Sequence, residues 1–353
     1  MTSTPNTIPD EVSILILGGL SHTARSHLTW LISKEGEEER LVEGGGDKVP
    51  KVKYIDPPCL RALEDPRVEY IQMNLSIPEN LKKAFTPPED KGGLKFDIVY
   101  DLIGEGVIHS EIPEEVLLEK QVKVCHMAGL EAKRRGVSVY LRETVHFMTV
   151  GVDQPAAKEG DEVKPRTARA YWYYETERAL ACVEGLNLVI VRPASVFGPH
   201  IFHGLSIPRF GMGSLYRVTG ETMKWLWGPN LKVHTIHPRD LARANWKISL
   251  WAMERGRERT ESEAGEVLEP VRIKDSSKSK EGFREKVGLE QGCCPRDRSP
   301  KVAVFNVVDD EDMDQLSSSF PFTCGKGIRR GILADFSFRG TLPFARPLQG
   351  ESF

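Results

Sequence analysis

The sequence lacks a surplus of either charge, a cysteine framework and a long apolar run. Its 353 residues carry 48 Lys and Arg against 51 Asp and Glu, a net charge of -3, whereas a general nucleic-acid binder would show a basic surplus. The six cysteines are scattered and form no C-x-x-C pair, so we expect a reducing, cytoplasmic setting. No apolar run approaches bilayer-spanning length, and the polar first ten residues do not read as a signal peptide.

The histidines offer little support for a metal site. Two H-x-x-H pairs occur, His200 with His203 and His234 with His237. Zinc needs a third and a fourth ligand at fitting spacing, and neither pair has them nearby. We therefore predict that the protein binds no metal.

One glycine turn follows directly on a buried apolar segment. Residues Ser13–Leu17 run into Gly18-Gly19 and then into an amphipathic stretch, which predicts a strand, a tight turn and a helix N-terminus. Such a turn gathers free N–H groups at the positive helix end and suits a pyrophosphate. The dinucleotide pattern has three glycines, but here Gly18, Ser21 and Ala24 hold those positions. An ordinary strand–turn–helix therefore remains an alternative.

An acidic residue ends the next predicted strand. The segment Val52–Asp56 alternates and is followed by two prolines. An acid at this strand tip hydrogen-bonds the adenosine ribose and repels a 2′-phosphate, so Asp56 favours NAD over NADP. A plain turn-capping role for Asp56 is the alternative.

The remaining pattern alternates strands and helices. Strands are predicted at 68–72, 96–103, 137–141, 187–192 and 301–308, and helices at 114–135, 164–183 and 240–253. This alternation predicts an α/β fold with a doubly wound parallel sheet. We place a nucleotide-binding domain at 1–199 and a smaller substrate region at 200–353, the latter interleaved with the last sheet elements. The charged, serine-rich stretch 254–299 is expected to be a disordered insertion, and the tail from Asp309 shows no clear period.

Several blocks together resemble the extended short-chain dehydrogenase/reductase family, the NAD-dependent epimerase/dehydratase group. They are ILILGG, KYIDPP, FDIVYDLIGEG, GLNLVIVRPASVFGPH, HTIHPRDLARANW and VFNVVDD, and the stretch from Gly220 to Trp246 is similar to a fungal branch. The resemblance implies a Rossmann domain with a bound nicotinamide dinucleotide. The cofactor-binding residues expected along these blocks are Gly18, Gly19, Ser21, His22, Thr23, Asp56, Asn74, Leu75, Ile103, Gly104, Pro193 and Val196.

The catalytic signature of that family is altered in this chain. The family uses a Ser or Thr after the fifth strand and a Tyr-x-x-x-Lys pair on the next helix, in which the tyrosine moves a proton and the lysine lowers its pKa. Here Val145 stands where the hydroxyl residue is expected, with Thr144 beside it. Arg169 stands at the tyrosine position and Tyr173 at the lysine position. A shifted register offers Tyr174 with Arg178, whose i, i+4 spacing places both on one helix face. The expected catalytic residues are Thr144, Tyr173, Tyr174 and Arg178, although helical tyrosines more often serve packing.

Two functions remain open from the sequence. The first is an NAD(P)-dependent oxidoreductase or epimerase/dehydratase that acts on a nucleotide sugar, a polyol or a secondary metabolite. The second is a non-catalytic dinucleotide-binding scaffold or sensor, motivated by the missing lysine and the altered glycine turn. Either way we expect NAD as cofactor, a small-molecule substrate as partner, and neither nucleic acid nor membrane, while a homodimer stays open.

Overall fold

A computed structural model of the chain describes residues 8–9, 12–18, 22–34, 36–37, 51–55, 65–87, 95–104, 113–145, 158–165, 168–198, 211–212, 215–216, 218–220, 234–271 and 297–309. For residues 22, 51–55 and 168 only the backbone is described. None of the described helices is long and apolar enough to cross a membrane.

The described strands alternate with helices along most of the chain. The strands are β1 (Ser13–Leu17), β2 (Lys51–Ile55), β3 (Val68–Ile71), β4 (Ile98–Asp101), β5 (Val139–Glu143), β6 (Leu188–Pro193), β7 (Ser195–Val196), β8 (Thr235–Ile236), β9 (Gly265–Val267) and β10 (Lys301–Val307). The helices are α1 (His22–Ile32), α2 (Pro78–Ala84), α3 (Glu114–Leu117), α4 (Lys123–Arg135), α5 (Ala168–Ala181) and α6 (Pro238–Ala264). A π-helical turn, Leu118–Val122, joins α3 to α4.

An eight-stranded sheet carries the fold, in the order β3-β2-β1-β4-β5-β6-β10-β9. All neighbouring pairs are parallel except β9 with β10. The strand order reverses between β1 and β4, where Leu17 pairs with Asp101. This arrangement confirms the predicted Rossmann-like, doubly wound parallel sheet.

Two apolar layers cover the sheet, as a parallel sheet requires. On one face, α1 and α6 pack against β1, β4, β5, β6 and β10, with Trp30 beside Trp246 and Trp251 against Phe305. On the other face, α2, α4 and α5 cover residues of alternate parity, such as Leu15 and Val99. Because successive strand residues point to opposite faces, the same apolar strands supply both cores.

Three expectations about elements need correction. The helix predicted at 164–183 begins only at Ala168, and the helix predicted at 114–135 contains the π-helical turn. The expected disorder at 254–299 is wrong for 254–267, because α6 continues through a break at Gly256 to Ala264 and runs into β9. Arg–Glu pairs one helical turn apart, such as Arg257 with Glu261, support this charged stretch. Residues 272–296 and the tail from 310 lie outside the described residues.

Candidate functional site

The exit of β1 requires glycine. Gly18 has φ +79°, and a Cβ there would lie 2.6 Å from the carbonyl oxygen of Leu102. The Leu102 amide in turn donates to the Leu17 carbonyl oxygen at 3.0 Å, so the backbones that leave β1 and β4 touch. Helix α1 starts at His22, four residues later. The structure thus brings a glycine turn and a helix N-terminus to the point of strand-order reversal, where open α/β sheets bind nucleotides.

The exit of β4 forms the other wall of this crevice. Gly104 has φ +90°, and a Cβ there would lie 2.7 Å from Oε1 of Gln121, which comes from the π-helical turn. The Ile103 amide donates to Oδ1 of Asp101 at 3.1 Å, which closes the turn. Ile103 and Gly104 are half-buried, so the turn is partly open to solvent at the edge where the sequence predicted a cofactor. We call the four-residue stretch Asp101–Gly104 the β4 exit turn.

The other predicted cofactor residues are distributed around the carboxyl edge of the sheet. Thr23 is fully buried in the first turn of α1. Asn74 is exposed, and its Oδ1 accepts from the Ser76 amide at 3.0 Å, while the neighbouring Leu75 is half-buried. Pro193 ends β6 and Val196 ends β7. Gly19, Ser21, Asp56 and the His22 side chain lie outside what the structure describes, so their roles stay predictions.

A buried ion pair that the sequence analysis missed lies beneath the β4 exit turn. Arg142 on β5 donates from Nη1 to Oδ1 of Asp101 at 2.8 Å, and neither side chain is exposed. Tyr140 donates its hydroxyl proton to Oδ2 of Asp101 at 2.8 Å. Burial raises the pKa of Tyr140 and of the Cys125 thiol well above their ordinary values, so both are neutral here. The signal was present in the sequence, since Asp101 ends one apolar strand and Arg142, next to Glu143, lies near the end of another.

Thr144 faces a second buried ion pair. Its hydroxyl donates to Oε1 of Glu177 at 2.8 Å, and Arg192 on β6 donates from Nη2 to Oε2 of the same carboxylate at 2.6 Å. Burial lowers the pKa of Arg192, but the Glu177 carboxylate outweighs burial and raises it overall. The hydroxyl proton of Thr144 is therefore held in a hydrogen bond to the Glu177 carboxylate, whose charge is balanced by Arg192.

The predicted catalytic residues on α5 point to two different places, and only Tyr173 reaches the crevice. Tyr173 donates its hydroxyl proton to the Gly104 carbonyl oxygen, which places it at the carboxyl edge of the sheet. The Arg169 guanidinium lies 5.5 Å from the centre of the Tyr173 ring.

Tyr174 and Arg178 do not reach this edge. Tyr174 donates to the Glu269 carbonyl oxygen at 2.9 Å, and Arg178 donates to the Arg298 carbonyl oxygen at 2.7 Å. Both acceptors lie beyond the pairing of β9 with the start of β10, at the amino edge of the sheet. The structure therefore does not bring Tyr174 and Arg178 together at the crevice. Both side chains hold the chain segments on either side of residues 272–296.

A third buried network ties α1 to the rest of the sheet. His27 Nδ1 lies 2.7 Å from the Thr23 carbonyl oxygen and donates to it. Asn245 on α6 donates from Nδ2 to His27 Nε2 at 2.5 Å and to Oε2 of Glu143 at 2.8 Å. Burial lowers the pKa of His27 to about 4, against the smaller effect of its bond to Thr23, so the ring is neutral near pH 7. The network fixes the first turns of α1, which border the crevice.

The structure describes only the second of the two histidine pairs, His234 with His237. His200 and His203 lie outside the described residues. His237 caps α6, since its Nδ1 accepts from the Arg239 amide at 3.3 Å. Among the described residues no three His, Cys, Asp or Glu side chains are grouped to hold a metal ion.

Comparison with known proteins gives structural matches alone. No family model and no curated protein matches the chain. A UDP-glucose 4-epimerase from Thermotoga maritima, solved with UDP-glucose, is similar at a TM-score of 0.54 and 15% identity over 88% of this chain and 81% of that one. A dTDP-glucose 4,6-dehydratase from Bacillus anthracis, solved with NAD, is similar at a TM-score of 0.52 and 10% identity over 88% and 80%. A UDP-galactose 4-epimerase gives 0.52 and 16% over 88% and 81%. At these identities the likeness establishes that the chain has the fold of these epimerases and dehydratases.

Proposed function

We propose that this protein binds NAD across the β1 and β4 exits and acts as an NAD-dependent oxidoreductase or epimerase/dehydratase. The observation that carries the proposal is the close approach of Gly18 to the Leu102 carbonyl oxygen. A side chain at residue 18 would collide with the backbone of Leu102 and Ile103, so only glycine lets the β1 and β4 exits touch at the nucleotide-binding point of the fold. The neighbours named as an epimerase with UDP-glucose and a dehydratase with NAD support the same class.

The chain's own residues fit such a cofactor. The turn at Gly18 and the N-terminus of α1 would hold the pyrophosphate, and Asp56 is proposed to bind the adenosine ribose, which favours NAD over NADP. When bound, NAD supplies a hydride acceptor or donor at its nicotinamide ring. Nucleotide sugars, polyols and secondary metabolites are the substrates proposed. The scattered cysteines support a cytoplasmic setting, and the fungal origin and a homodimer also remain proposals.

Tyr173 is the group proposed to move the substrate proton. Its hydroxyl group lies at the β4 exit turn, and the Arg169 guanidinium lies over its ring, 5.5 Å from the ring centre. To act, the hydroxyl must exchange the Gly104 carbonyl for the substrate oxygen. Thr144 supports the site indirectly, because its hydroxyl is bound to the Glu177 carboxylate.

A non-catalytic scaffold or sensor is the second candidate. Helix α5, with the sequence ARAYWYYETERALA, contains no lysine. The proton of Thr144 goes to Glu177 and that of Tyr173 to Gly104. Because both hydroxyl groups are already hydrogen-bonded within the protein, the arrangement favours a protein that binds the dinucleotide without catalysing a reaction.

Titration with NADH and NADPH tests both candidates. We expect NADH to bind more tightly than NADPH, read by nicotinamide fluorescence, and binding of neither would remove both candidates. Turnover is then measured on a panel of carbonyl compounds and nucleotide sugars. For an enzyme, Tyr173→Phe should lower kcat at least a hundredfold, while Tyr174→Phe, the matched control on the same helix, should leave kcat within about threefold because its hydroxyl serves the amino edge. Full activity in Tyr173→Phe would contradict the proton-transfer role.

A further inference from the structure

Helix α5 offers no lysine to the Tyr173 oxygen. Its sequence, ARAYWYYETERALA, contains none. When Tyr173 gives its proton to a substrate oxygen, a negative charge remains on the phenol, and only 2% of this residue is exposed. A charge in such surroundings is costly unless a positive group lies near it. That positive group must be an arginine of the helix or come from another element.

Arg142 reaches the turn beside Tyr173 from strand β5. Its Nη1 donates to Oδ1 of Asp101 at 2.8 Å, at the start of the β4 exit turn. Tyr173 donates to the carbonyl oxygen of Gly104, at the end of the same four-residue turn. Tyr140 belongs to the same buried cluster as Tyr173, and Arg142, two residues further along β5, points to that same face of the sheet. The arginine and the phenol are therefore held on one turn and on one side of the sheet.

The charge of Arg142 is only partly matched. Its Nε and Nη2, the open fork of the guanidinium, have no hydrogen-bond partner in the part of the chain that the structure describes. The Asp101 carboxylate is shared, since it also accepts from the Tyr140 hydroxyl at 2.8 Å and the Ile103 amide at 3.1 Å. Burial lowers the pKa of Arg142, but Asp101 and smaller effects that include Tyr173 raise it overall. Arg142 is thus a permanent cation, and Tyr173 is near enough to act on it.

The other charged groups around Tyr173 are weaker candidates. Arg169 lies 5.5 Å from the centre of its ring, but this arginine is half-buried, so water screens its charge. Glu177, one turn further along α5, is balanced by Arg192 at 2.6 Å. Arg142 is fully buried, and its charge acts through a medium that screens it little.

We propose that Arg142 supplies the positive charge that stabilises the phenolate of Tyr173 during proton transfer, in place of a lysine on α5. When a carbonyl substrate is reduced, the hydroxyl proton of Tyr173 passes to the substrate oxygen and the electrons of the O–H bond stay on the phenol oxygen. In the reverse direction the phenolate takes the proton back. Arg142 acts on this charge across the β4 exit turn and does not touch the substrate. The inference rests on the proposed function for the role of Tyr173 and adds the source of its charge.

Ionisation of this one phenol can be measured without any substrate. In the full chain, Tyr173→3-fluorotyrosine gives a single fluorine resonance whose shift follows its pH titration. Arg142→Gln should raise the midpoint by about one pH unit or more, because the positive charge is lost. Asp101→Asn should lower it by a similar amount of about one unit, because Arg142 then keeps its charge without the opposing carboxylate. Each variant breaks the same ion pair, so a merely structural role would move both midpoints in the same direction.

Three further variants serve as controls. Arg178→Gln removes another buried arginine, whose partners Glu175 and the Arg298 carbonyl lie toward the amino edge, and should leave the midpoint within about 0.3 units. Arg142→Lys keeps the charge and should move it by less than about half a unit. Arg169→Gln should raise it by less than Arg142→Gln does, since its charge is screened.

Shifts of the same sign in Arg142→Gln and Asp101→Asn would overturn the inference, as would a larger shift in Arg169→Gln than in Arg142→Gln. Circular dichroism reports whether each variant is folded. Should Arg142→Gln fail to fold, the downward shift in Asp101→Asn remains the test, and its absence would equally count against Arg142. Failure to bind NADH and NADPH would overturn the proposed function alone, whereas opposite shifts would still show that Arg142 acts on Tyr173.

Discussion

Replacing Gly18 by alanine tests the feature on which the dinucleotide site depends. The residue has φ +79°, a left-handed backbone that costs an L-residue about 1–2 kcal/mol. The new Cβ would also lie 2.6 Å from the Leu102 carbonyl oxygen and 2.8 Å from the Ile103 nitrogen. These are backbone atoms, which cannot swing aside as a flexible side chain can, and forcing such a separation costs about 1–3 kcal/mol more. We therefore expect Gly18→Ala to lower the free energy of unfolding by about 2–5 kcal/mol.

Gly136 provides the matched control. It has φ +70° at the end of α4, but a Cβ there would meet nothing within 4 Å. Gly136→Ala should therefore cost the backbone term alone, about 1–2 kcal/mol. The difference between the two variants isolates the contact between the β1 and β4 exits.

Urea denaturation followed by tryptophan fluorescence measures both costs, and NADH titration without urea measures the effect on the crevice. We expect NADH affinity to fall at least tenfold in Gly18→Ala and to stay within about twofold in Gly136→Ala. Equal losses of stability in the two variants would refute the argument that the exits touch. Unchanged NADH affinity in a folded Gly18→Ala protein would refute the placement of the dinucleotide at this turn.

Two further predictions concern the buried networks. Thr144→Val should lower the free energy of unfolding by about 1.5–3 kcal/mol in urea melts, because it removes a hydrogen bond to the buried Glu177 carboxylate. Thr144→Ser keeps the hydroxyl group and should cost less than about 1.5 kcal/mol. Equal losses in the two variants would contradict the hydrogen bond to Glu177. Burial lowers the pKa of His27 from 6.5 to about 4. Between these pH values the unfolded chain binds a proton at this residue that the folded chain does not. The free energy of unfolding therefore falls as the pH drops, by about 3 kcal/mol for this group. His27→Gln should lose this part of the pH dependence in urea melts at pH 7.5 and 4.5, and a profile identical to that of the wild type would show that His27 is not buried neutral.

The order of strands and helices was readable from the sequence because burial on both faces imposes long apolar runs. The segments at Ser13–Leu17, 187–192 and 301–308 were predicted within one residue of the strands that form. The charged stretch after 253 was misread, since Arg–Glu pairs on a helix surface and solvated disorder have similar composition. The structure of this stretch depends on the pairing of β9 with β10, which joins residues more than thirty positions apart.

The candidate site, like the fold, could be predicted from the sequence only in part. The sequence by itself determined that a glycine turn follows the first buried strand and that α5 carries tyrosines but no lysine, because these are local facts of residue type and spacing. Only the tertiary structure decided that Tyr173 faces the β4 exit while Tyr174 faces the amino edge. It also decided that Thr144 serves a buried carboxylate and that Arg142 holds an open fork beside Asp101. Neighbouring residues on a helix point about 100° apart, so where each hydroxyl goes depends on the strands packed against that helix, and no local pattern records this.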